Sequence, residues 1–78
     1  MRVFLAQLTE DLDGYHEEMI NIGIFTTLER AQQACTEHLK QGKRGVYRVE
    51  EWDLNTRREF PQQWILYTNY VEKGWAKI

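Results

Sequence analysis

The fold of this chain is decided by the stretch Ile20-Asn-Ile-Gly-Ile-Phe-Thr-Thr-Leu-Glu29, which joins a strand pattern to a helix start. Isoleucine recurs at every second position from Ile20 to Ile24, and this period of two is typical of a half-buried β-strand. Thr26 and Glu29 have the spacing of a capping box. In this motif the threonine side chain accepts a hydrogen bond from the backbone N–H three residues on, and the glutamate side chain accepts one from the backbone N–H of the threonine. The stretch therefore predicts a strand that ends directly before a helix.

The residues after the capping box follow a helical period. One apolar stripe recurs at intervals of three and four residues, at Leu28, Ala31, Cys35 and Leu39. Gly42 can end the helix, because glycine readily adopts the left-handed conformation that follows a last helical turn. The pattern predicts an amphipathic helix over about residues 27–41 that covers one face of a sheet.

Apolar runs on either side of this helix predict the strands of the sheet. They are residues 2–8, 19–25, 46–54, 64–70 and a short terminal run, 75–78. The alternation breaks within 46–54, which predicts a β-bulge near Glu50 and Glu51. The expected fold is a single α+β domain over residues 1–78. It has two layers, an antiparallel sheet of four to five strands with one amphipathic helix on one face, in the order β-β-α-β-β-(β).

Length and composition limit the functions that such a domain can have. A chain of 78 residues buries only about 60% of the surface that it exposes when unfolded, which leaves little room for an enclosed pocket. Cys35 is the one cysteine, so an intramolecular disulfide is excluded and a cytoplasmic location is expected. The apolar run Val3 to Ala6 is too short for a signal peptide or a membrane span, so we expect no membrane partner.

Ordinary catalytic and metal-binding patterns are missing from the sequence. Cys35 and His38 are three residues apart on the predicted helix, but His16 is distant and a zinc site needs three or four ligands. The acidic turn around Asp13 and Gly14 lacks the spacing of a calcium-binding EF-hand loop. The chain contains no serine, and nothing in the sequence would activate another nucleophile. We therefore predict a protein that is not an enzyme and that has no metal site and no cofactor.

The segment from Ile22 to Ala31 resembles the strand–cap–helix junction of a group of short bacterial and phage proteins of unknown function. The resemblance extends over roughly residues 3–54 and includes the opening strand, Val3 to Leu8, and the acidic turn that follows it. It implies this fold and brings no catalytic residues. The element order and length are also similar to those of small phage-encoded anti-CRISPR proteins, which implies action by binding a larger host complex.

Aromatic residues are concentrated in the C-terminal segment. Five of the ten aromatic residues lie between Phe60 and Trp75. A single helix covers one face of a sheet, so some of these rings are expected to be exposed or buried by another chain, and tryptophan and tyrosine are common at interface hot spots. The predicted partner-binding residues are Trp64, Tyr67, Tyr70 and Trp75, with Arg57 and Arg58 as a charged rim. The alternative is that the segment completes the monomer's own core.

Basic residues suggest a second binding function. The formal net charge is −2, yet a run of bases follows the helix. Residues that could contact phosphates are Lys43, Arg44, Arg48, Arg57 and Arg58. The alternative is that these bases complement the helix dipole and pair with glutamates on neighbouring strands.

The sequence favours a small non-catalytic protein-binding module, phage-encoded, that binds or inhibits a larger host complex. The partner expected first is another protein. Two alternatives remain open: a nucleic-acid-associated accessory protein, and a homodimeric structural protein that buries its aromatic face or pairs an edge strand symmetrically.

Overall fold

The computed structural model describes residues 2–11, 17–53, 62–67 and 74–78. These residues form one antiparallel five-stranded sheet and one helix, which confirms the predicted α+β class. The elements in chain order are β1 (Arg2–Asp11), β2 (Glu17–Phe25), α1 (Leu28–Lys40), β3 (Gly45–Asp53), β4 (Gln62–Tyr67) and β5 (Ala76–Lys77). In space the strands are ordered β2-β1-β3-β4-β5, so β2 and β5 are the two edges.

The core lies between α1 and the sheet. From the sheet it takes Phe4, Ala6, Leu8, Tyr47, Val49 and Leu66, and from the helix it takes Ala31 and Cys35. Ala6 lies opposite Gly23 in the β1–β2 register, so small residues meet on the face that α1 covers. This allows the helix backbone to approach the sheet closely, and burial of the surrounding apolar side chains supplies most of the stability.

The helix begins one residue later than the capping-box spacing indicates. Thr27 is the N-cap, and its Oγ1 accepts from the Arg30 backbone N–H at 3.2 Å. Arg30 therefore occupies the third helical position, where the predicted box places Glu29. A threonine does cap the helix, as predicted. It is Thr27 and not Thr26, so the pairing of Thr26 with Glu29 is wrong by one position. Glu29 still lies in the first turn, where its charge favours the positive end of the helix dipole.

The helix ends at Lys40, and Gly42 follows the C-cap as the terminating glycine, as predicted. Gln41 is the C-cap and Gly42 follows it with φ of +89°, in the left-handed region. The Gly42 N–H donates to the Leu39 carbonyl at 3.0 Å, and the Lys43 N–H donates to the His38 carbonyl at 3.3 Å. This pair of bonds is a Schellman motif, which satisfies carbonyl groups that the helix itself leaves unpaired.

The sheet contains a bulge, but in a different strand from the predicted one. The β3 register runs without a shift through Glu50 and Glu51 against both of its neighbours. The register shift lies between β1 and β2, where Ile22 is the additional residue in β2. The predicted β3 bulge is wrong because Glu51 itself takes a buried place on the helix-covered face, where the Arg2 Nη1 lies 3.3 Å from its Oε1.

Candidate binding surface on the open face of the sheet

The face of the sheet that α1 does not cover is the candidate functional surface, and we call it the open face. The strand register identifies its members. They are Val3, Leu5, Gln7 and Thr9 of β1, Glu17, Met19, Asn21 and Ile24 of β2, the even-numbered residues of β3, the odd-numbered residues of β4, and Ala76 and Ile78 at the C-terminal edge. Because side chains alternate between the two faces of a sheet, these positions point away from the core beneath α1.

The most exposed large apolar side chains of the described residues all belong to the open face. The exposed fractions are 57% for Met19, 69% for Ile24, 49% for Tyr67 and 71% for Ile78. Met19 and Ile24 lie on edge strand β2, whereas Tyr67 and Ile78 lie near the opposite edge. The apolar groups therefore flank the open face on both sides.

Hydrogen-bonded polar side chains lie in the middle of the open face. The Gln7 Nε2 donates to the Asn21 Oδ1 at 3.0 Å, and the Gln63 Nε2 donates to the Glu50 Oε2 at 3.2 Å. Arg48 lies beside Gln7 in the β1–β3 register, and its Nε is buried without a hydrogen-bond partner in the part of the chain that is described. Apolar side chains lie among them, since Leu5 is opposite Glu50 and the buried Ile65 is opposite Arg48 in the register, so the middle of the open face mixes polar and apolar groups.

The predicted aromatic residues are divided between the two faces. Trp64 and Trp75 are half-buried and pack against the core on the side of α1. The centroids of the Trp64 and Phe4 rings are 6.2 Å apart. The Lys77 Nζ lies 5.5 Å from the centroid of the Trp64 ring. Tyr67 points to the open face. Tyr70, Arg57 and Arg58 lie outside the described residues.

The predicted basic residues are also at separate places. Lys43 and Arg44 lie in the connection between α1 and β3, where the Lys43 carbonyl accepts from the Tyr47 hydroxyl. Arg48 lies within β3 on the open face, two residues before Glu50, which shares that face. The described bases therefore do not form one row along the sheet.

Sequence reasoning missed Met19 and Ile24 as surface residues. A period of two places Ile20, Ile22 and Ile24 on the same face, but only Ile20 and Ile22 pack against the core. The bulge at Ile22 adds a residue and turns Ile24 to the open face. The available signal was Gly23, since glycine within a strand often marks a bulge.

Reactive side chains lie away from the open face. Cys35 is fully buried beneath α1, and burial raises the pKa of its thiol to about 12. Burial also raises the pKa of Tyr47 to about 12. Within residues 2–11, 17–53, 62–67 and 74–78, no group of three or more histidine, cysteine, aspartate or glutamate side chains is placed to hold a metal ion.

No protein-family model, curated protein or solved structure matches this chain. Among the described residues, α1 is too short and too polar to cross a membrane. The function is therefore inferred from the open face and from the charges around it.

Proposed function

We propose that this protein is a non-catalytic protein-binding module that contacts a larger partner through the open face of its sheet. The observation that carries the proposal is that Met19, Ile24, Tyr67 and Ile78 all project from this one face. In the setting that the sequence resemblance implies, the protein is phage-encoded and inhibits a host complex by occupying part of its surface. The single cysteine favours the cytoplasm as the place where it acts.

The energetics support a protein partner for this surface. Burial of apolar surface contributes about 25 cal/mol per Å², and the exposed apolar side chains of the open face would supply part of the area that a partner buries.

The charges favour a protein over a nucleic acid. Arg48 shares the open face with Glu50, and the chain as a whole has a formal net charge of −2. A phosphate backbone is bound by several lysines and arginines that act together, and each acid among them weakens the attraction. The nucleic-acid alternative predicts a complex that forms at low salt and is lost at moderate salt, so a gel shift with single- and double-stranded probes tests it directly.

The aromatic residues take different roles in this proposal. Tyr67 contacts the partner, whereas Trp64 and Trp75 support the sheet from the side of α1. Tyr70 remains a proposed contact residue, together with Arg57 and Arg58 as the charged rim.

The experiment compares capture of host proteins by three forms of the chain. The test variant carries Tyr67→Ser and Ile78→Ser, which remove exposed apolar groups from the open face. The matched control carries Glu37→Ser on the exposed side of α1. We expect the wild type and the control to retain the same partner and the test variant to lose it, with unchanged circular dichroism. Equal capture by all three forms would refute the proposal.

A further inference from the structure

We draw no further inference here: the strongest candidate, the exposed surface patch of Met19 and Ile24 on edge strand β2, carries nothing because no contact in the described part of the chain shows what covers it.

Discussion

Replacement of Gly45 by alanine should destabilise the sheet more than any other glycine-to-alanine change in the connection between α1 and β3. Gly45 begins β3 opposite Glu10 of β1, and its φ is +153°. A Cβ at this position would lie 2.1 Å from the Thr9 carbonyl oxygen and 3.1 Å from the Glu10 Cα. Both neighbours are backbone atoms, so rotation of a side chain cannot relieve the contact.

The expected loss of stability follows from these distances. The two strands must separate until the Cβ–oxygen distance rises from 2.1 Å to at least 3.0 Å, and overpacking of this kind costs about 1–3 kcal/mol. An L-residue at positive φ adds about 1–2 kcal/mol. The total of about 2–5 kcal/mol compares with a whole-domain stability of about 4–12 kcal/mol for a chain of this length. We therefore expect the melting temperature to fall by about 10 °C or more.

Urea unfolding monitored by circular dichroism measures this effect, with Gly42→Ala as the matched control. Gly42 also has positive φ, +89°, but a Cβ there meets nothing within 4 Å. Only the conformational cost of about 1–2 kcal/mol applies to it. If Gly45→Ala were no more destabilising than Gly42→Ala, the close approach of β1 to β3 at this point would be refuted.

Three further outcomes are expected. Thr27→Ala should lower the free energy of unfolding by about 1 kcal/mol because it removes the N-cap, while Thr26→Ala should change it by less than about 0.5 kcal/mol; equal effects in urea titrations would contradict the assigned cap. Tyr47→Phe should cost about 1 kcal/mol, measured in the same way, because it leaves the Lys43 carbonyl without its buried donor. Burial raises the pKa of Cys35 from 9.0 to about 12 and that of Tyr47 from 10.0 to about 12, so the folded state holds these protons more tightly than the unfolded state. The free energy of unfolding should therefore keep its full value below pH 9 and fall as the pH rises towards 12. Cys35→Ala should make this fall shallower. A fall equally steep in that variant would count against the burial of the thiol.

The local chemistry of the sequence determined the elements and their order. Threonine before a helical stripe and Gly42 after it bounded α1 to within two residues, because caps and left-handed glycines act over a single turn. Apolar runs separated by turns identified the five strands, and one helix among them required a two-layer antiparallel arrangement. These features depend on contacts between residues close together in the chain, which a sequence displays directly.

Only the tertiary structure decided which side of the sheet each exposed residue takes. The bulge at Ile22 depends on how β2 pairs with β1, and it reverses the face of Ile24. Trp64 lies on the face of α1 because it is opposite the buried Val49 in the register, while Tyr67, three residues later, points to the open face. A shift of one residue in pairing exchanges the two faces of a strand, so the binding surface is fixed by long-range register and not by the order of residues alone.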